Sequence, residues 1–268
     1  MTAPQLAALC GIAAASLSLI MTGAWWVQRQ TGNSGWVDTT WSFGVGAVGA
    51  ACALLPFSAG GLSARQGLVA LLAVIWCGRL GSHIAARTRS STDDPRYRAL
   101  IEQWGSSAPG RLFWFLQAQA AVGTILVMAI TLAAHHPKPG LHMSDAIGVA
   151  ILLLAVAGEA VSDSQLAAFR ADPANKGRVC DAGLWSWSRH PNYFFEWLAW
   201  FSYPVFAIDL SGDHSLGWLS LAAPLSMYWV LVHASGIPPL EANMLRSRGE
   251  QYRVYQARTS AFVPWPPK

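Results

Sequence analysis

Residues 112–134 read LFWFLQAQAAVGTILVMAITLAA, 23 positions without a charged side chain. At 1.5 Å rise per residue, such a helix spans the roughly 30 Å hydrocarbon core of a bilayer. Working outward, further stretches of the same kind lie at 5–27, 36–55, 67–86, 145–169, 192–210 and 215–235. Turn signals stand between them: Thr31-Gly32-Asn33-Ser34-Gly35, Ser58-Ala59-Gly60-Gly61, Pro137-Lys138-Pro139-Gly140 and Ser211-Gly212-Asp213. The sequence predicts an all-α polytopic membrane protein with seven transmembrane helices, a single membrane-embedded domain over 1–268. Its cytoplasmic tail helix, 237–268, is expected to pack near the functional site. Composition agrees: 53% of residues are apolar, 12% are charged, and the formal net charge is +4. A disordered chain needs the opposite balance, and a soluble globule of this size needs more charge at its surface.

Cys10, Cys52, Cys77 and Cys180 form no CxxC pair, so neither a disulfide framework nor a zinc site is expected. Residues 1–5 lack Lys and Arg, and the first apolar run outlasts a signal-peptide core; it reads as a retained span. Lys and Arg are sharply sorted between alternate loops. Fifteen follow spans one, three and five or lie in the tail, while only Arg65 and Lys138 lie opposite. The positive-inside rule then places the N-terminus outside and the C-terminus in the cytoplasm. A bacterial inner membrane is the expected location. The basic cytoplasmic face suits anionic lipid or a phosphorylated cofactor. Nucleic acid is excluded, because the cations form no groove-reading motif. No protein partner is implied.

Ionisable residues inside spans are costly and mark candidate sites. Asp38 opens span two, as a helix N-terminal acid or as a buried carboxyl able to donate a proton. Arg79, His83 and Arg87 recur at i, i+4 and i+8 on one stripe of span three. Arg79 lies deep enough to need an acidic or phosphate partner. Glu159, Asp163, Gln165 and Arg170 form the polar end of span five, followed by Asn175, Lys176, Gly177 and Arg178. They read either as a partner for Arg79 or as the wall of a cavity mouth.

The most informative run is 183–196, GLWSWSRHPNYFFE. Pro191 suits the first turn of a helix, where its missing N–H costs nothing. Ser188, Arg189 and His190 then flank free backbone N–H groups, an arrangement fit for phosphate. Asn192, Tyr193 and Glu196 project from the first two turns, more polar groups than a plain interfacial cap needs. In the tail, Glu241, Leu245, Arg248, Tyr252 and Tyr255 share one helical face, either as a surface anchor or as a lid over this site. His135, His136 and His142 match no standard metal spacing, and no metal is expected. The Trp25-Trp26 pair and Trp185 with Trp187 fall near span ends, as aromatic belts do. No GxSxG, Walker loop or GxGxxG is present, so no Rossmann fold could hold a dinucleotide.

The run 183–196, with Glu241, Arg248-Gly249, Tyr252, Tyr255 and Pro264 behind it, resembles the steroid 5-alpha-reductase-like membrane reductases. The likeness is greatest to a bacterial branch catalogued as a domain of unknown function. It extends upstream to Asp163-x-Gln165 and Asp93-x-Pro95-Arg96-Tyr97, and so covers most of the chain. The resemblance implies seven helices around a cavity that binds NADPH from the cytoplasmic side. Cofactor contacts would fall on Asp163, Gln165, Arg170, Arg178, Ser188, Arg189, His190, Asn192, Tyr193 and Glu196, with Arg79 from span three. Glu241, Arg248, Tyr252 and Tyr255 would join them from the tail. Isoprenylcysteine and phospholipid methyltransferases share an Arg-His-Pro-x-Tyr motif and a similar tail but bind S-adenosylmethionine. They tend to carry Gly soon after the Tyr, where this chain has Phe194-Phe195. A non-catalytic lipid-binding or sterol-sensing protein is the third alternative.

Steroid reductases proper use a Gln-Glu pair in the second helix and a Tyr in the third. Here span two offers Asp38, and span three offers Trp76, Arg79 and His83 but no Tyr. The expected chemistry is reduction of a carbon–carbon double bond conjugated to a carbonyl, in a steroid-like or other apolar lipid arriving from the bilayer. Asp38 or His83 is expected to donate to the enolate oxygen, with Tyr193 and Glu196 orienting the nicotinamide.

Overall fold

The computed structural model describes residues 1–56, 61–89 and 93–268. Part of the predicted turn at 58–61 lies outside them. Among the described residues the chain is helical, without a strand of its own. The helices are α1 (Ala3–Thr31), α2 (Gly35–Ala53), α3 (Ala64–Arg89), α4 (Pro95–Trp104), α5 (Ala108–Ala134) and α6 (Met143–Ala171). They continue with α7 (Leu184–Trp187), α8 (Pro191–Ala199), α9 (Ser202–Ala207), α10 (Ala222–Trp229), α11 (Ile237–Arg248) and α12 (Glu250–Arg258). A 3₁₀ segment, Ser215–Leu221, precedes α10.

Among the described residues, five helical runs are long and apolar enough to cross a membrane: Ala3–Thr31, Ala64–Arg89, Arg96–Ala134, Met143–Ala171 and Ser215–Arg248. They correspond to five of the seven predicted spans. The other two differ for identifiable reasons. The 36–55 stretch is a helix, but Asp38, Thr39, Thr40 and Ser42 dilute its apolarity. The 192–210 stretch is not one helix: it breaks at Trp200-Phe201 into α8 and α9. Pro204 has no N–H to offer the Trp200 carbonyl, and a proline ring crowds the carbonyl four residues back. The tail is likewise two helices, because Gly249 takes φ +52° between α11 and α12.

The chain divides into two compact units. The first comprises Met1–Val149 and Ser202–Ala223. Its centre is α2, packed against α1, α3 and α5. A Cβ on Gly46 would lie 2.2 Å from the Cys77 Cβ, and one on Gly49 would lie 2.6 Å from Ile130. Small residues thus bring the backbones together where side-chain packing must hold helices in an apolar solvent. One end of this unit is stapled by a buried pair: Arg65 donates from Nε and Nη2 to Asp145 at 3.0 and 2.7 Å. Its Nη1 donates to the Lys138 carbonyl at 2.9 Å.

The second unit comprises Ala150–Phe201 and Pro224–Lys268. It joins most of α6 to the 183–196 motif and the tail. The Trp185 indole donates to the Ser162 carbonyl at 2.9 Å, and the Leu184 N–H to Gln165 Oε1 at 2.9 Å. Tyr252 and Tyr255 pack on Val179 with Met244 and Leu245, which fastens the tail to the segment before the motif.

Candidate functional site

The motif and the tail meet at one carboxylate. Arg189 Nε donates to Glu241 Oε1 at 2.7 Å, and the His190 Nε2 lies 3.2 Å from the same oxygen. Gln256 Nε2 holds the other oxygen at 2.8 Å. Arg189 Nη1 donates to the carbonyls of Thr259 at 2.6 Å and Gln256 at 3.2 Å. The Arg189 main-chain N–H donates to the Ser260 carbonyl at 2.8 Å, and the Ser188 hydroxyl to the Phe262 carbonyl at 2.8 Å. The structure thus places Ser188 and Arg189, both expected at the cofactor, against the tail. Their donors are taken up by the tail backbone, and guanidinium geometry suits such a many-carbonyl strut. The Tyr255 hydroxyl adds a 2.5 Å bond to the Trp185 carbonyl.

Beyond the strut, the first turns of α8 carry a second polar group. Asn192 Nδ2 donates to Asp163 Oδ1 at 3.2 Å, and the Tyr193 N–H donates to Asn192 Oδ1 at 3.1 Å. The His190 and Tyr193 rings stack 5.7 Å apart at 13°. Glu196, buried, accepts from the Trp200 indole at 3.0 Å and so faces its own helix. Burial lowers the His190 pKa, with the Arg189 charge adding to it, while Glu241 opposes the shift. Burial, with the Glu241 charge beside it, raises that of the Tyr252 phenol.

The remaining cations differ in exposure. Arg170 is exposed. Arg178 is also exposed and rims a shallow hollow of about 230 Å³ with Asp181, Gln251, Tyr255 and Arg258. On α11, two turns from Glu241 on the same face, Arg248 donates from Nη1 to the Ser247 carbonyl at 3.2 Å, while among the described residues its buried Nε has no hydrogen-bond partner. A buried donor without an acceptor costs about 1–3 kcal/mol, which an acceptor on a ligand would recover. This unit therefore gathers an Arg248 Nε without an acceptor, an Asn–Asp pair and a stacked aromatic pair.

The first unit holds a separate polar centre. Asp38 Oδ2 accepts from Arg96 Nη2 at 2.5 Å, and its Oδ1 from the buried Tyr97 hydroxyl at 2.7 Å. Arg96 also grips Asp94 through Nε at 3.0 Å and Nη2 at 2.9 Å. Burial raises the Asp94 pKa, but bonds and charge from Arg96 outweigh it and hold the carboxyl below its usual range. Gln119 Nε2 donates to the Tyr97 oxygen at 2.9 Å. The Trp41 indole holds the Gln119 carbonyl at 3.0 Å and lies edge-on to Trp76. Both Asp38 oxygens are thus engaged, by a guanidinium and a phenol. Arg79 and His83 stand half-buried one turn apart on α3. The structure brings Tyr97, Arg96 and Gln119 to Asp38, and sequence reading had not joined them. The Asp93–Tyr97 run carried the signal, since it places an Arg and a Tyr in the first turn of a helix capped by Asp94.

The family described as "Protein of unknown function (DUF1295)" matches residues 24–259. The chain belongs to this family, which takes in both polar centres. An uncharacterized protein of Schizosaccharomyces pombe is 34% identical over 97 residues, covering 36% of this chain and 27% of the relative. The chain thus spans about a quarter of the curated relative's length. No solved structure matches.

Proposed function

We propose that this protein is an NADPH-dependent reductase of an apolar lipid, related to the steroid 5-alpha-reductase-like enzymes. It would act on a carbon–carbon double bond conjugated to a carbonyl. The observation that carries the proposal is the docking of the tail on the 188–193 motif through Glu241. That docking gathers Asp163, His190, Asn192, Tyr193 and the orphaned Arg248 donor in one unit. In a bilayer, α2 and the broken 192–210 segment complete seven crossings, with the N-terminus outside and the C-terminus cytoplasmic. The bacterial inner membrane is the proposed location, and the lipid enters from the bilayer.

Arg248, with Arg170 and Arg178, would hold the phosphates, and Asn192 and Tyr193 the nicotinamide end. NADPH, when bound, supplies the hydride. The chain's own residues supply the rest. Asp163, which accepts from Asn192, and His190, stacked on Tyr193, would fix that end.

Titration of the purified protein with NADPH is the test. We expect binding, and its loss in His190→Ala with helix content unchanged by circular dichroism. Binding of S-adenosylmethionine without NADPH would transfer the site to methyl transfer. Binding of neither would favour a lipid sensor.

A further inference from the structure

The seam between α1 and α5 ends in a patch of aromatic and cationic side chains. Ser18 donates to Gln117 Oε1 at 2.7 Å, and Gln117 Nε2 donates to Thr22 Oγ1 at 3.3 Å. One turn on, the Trp25 indole donates to the Pro109 carbonyl at 2.9 Å and lies edge-on to Phe113, 5.7 Å away. Rising positions on α1 thus meet falling positions on α5, so the pair is antiparallel. Trp26 and Trp114 each stand one residue beyond a seam contact. In an antiparallel pair that step turns both to the same flank of the seam. They are 58% and 72% exposed, whereas Trp25 and Phe113 are half-buried. Leu19 and Ile12 continue the exposed face of α1 at seven-residue steps, roughly 10 Å each.

Two cations crown the same end. Arg29, in the last turn of α1, lies 5.0 Å above the Trp25 ring. Stacking engages the guanidinium face and leaves its N–H edge free to donate. Arg111, exposed, closes the first turn of α5, three residues before Trp114. No acidic residue stands in that turn, where the helix dipole disfavours a cation unless an anion joins it. Among the described residues neither arginine has a carboxylate partner. Arginine, indole and aliphatic side chain follow one another as phosphate, glycerol and acyl chain do in a phospholipid. We propose that this flank of the α1–α5 seam binds an anionic phospholipid. Arg29 and Arg111 take the headgroup, Trp26 and Trp114 bracket the glycerol, and an acyl chain lies along Leu19 and Ile12. Net charge decides the choice, because a zwitterionic lipid carries its own cation beside the phosphate. The site lies wholly in the first unit and stands whatever cofactor the second unit binds.

Competition between two lipids for the purified full-length protein tests this. Micelles hold equal amounts of phosphatidylglycerol and phosphatidylcholine with the same chains, and native mass spectrometry reads which lipid is retained. A basic residue near an anionic lipid surface contributes about fivefold in affinity, so the wild type should prefer phosphatidylglycerol by at least about tenfold. Arg29→Gln or Arg111→Gln should each lower that preference about fivefold, and the double variant should erase it. Arg246→Gln, at an exposed cation on α11, should leave it unchanged. Equal retention of the two lipids by the wild type, or retention of neither, overturns the proposal without recourse to any variant. A preference that survives in the double variant overturns it too. So does an equal loss in Arg246→Gln, which would make the preference a matter of net charge rather than of this site.

Discussion

Each unit of this molecule is organised around an arginine and a carboxylate, yet the two arginines do different things. In the second unit Arg189 gives its donors to Glu241 and to two tail carbonyls. In the first, Arg96 bonds two carboxylates, Asp38 and Asp94, and the Tyr97 hydroxyl donates to Asp38 as well. One pair is a fastener. The other is a charge set to orient a hydroxyl. The lesson is that an arginine's acceptors say more about its role than its place in a motif does.

Removing the carboxylate should separate the two most strongly. Glu241→Ala leaves Arg189 and His190 without their shared acceptor, and breaking a buried pair costs about 3–5 kcal/mol. We expect a lower melting temperature and early proteolysis within 237–268. Tyr97→Phe removes a single hydroxyl donor from Asp38 and should cost less, about 1.5–3 kcal/mol in the same melts. A large stability loss in that variant would make the first centre a fastener as well.

Acid should also act on the second unit. The His190 pKa is lowered by burial in the fold, so the unfolded chain binds more protons below its ordinary value near 6.5. Stability is then complete above that value and falls as pH drops toward the lowered one, by at most about 1.4 kcal/mol per unit. His190→Asn should flatten the dependence in thermal melts taken from pH 7.5 to 5. The smallest effect is expected at Gly183, whose φ is +61° and whose added Cβ would lie 2.6 Å from Gln165 Oε1. Gly183→Ala should cost about 1–2 kcal/mol by the same assay, through strained backbone and a displaced Gln165.

Much of this was legible in sequence because a bilayer leaves few solutions. Uninterrupted apolar runs such as 112–134 forecast α5 almost to the residue. The 183–196 motif and the tail face were both visible, and Glu241 does reach Arg189. What failed was local. Pro204 breaks a run whose average apolarity is high, and Gly249 breaks a face whose spacing is regular. The first polar centre was illegible for a different reason. Asp38, Arg96 and Gln119 are far apart in sequence, and periodicity along one helix carries no information about pairs between helices.

The glycines of α2 have a consequence for how the molecule is made. A helix that carries Asp38, two threonines and a serine partitions poorly into lipid by itself, yet its packed faces never need to meet lipid once α1, α3 and α5 surround it. On the proposed seven-crossing arrangement, its entry into the membrane is tied to that of α3, its most extensive neighbour. The two should leave the translocation machinery together as a hairpin. A ribosome stalled between them would strand a segment that cannot settle until its partner arrives.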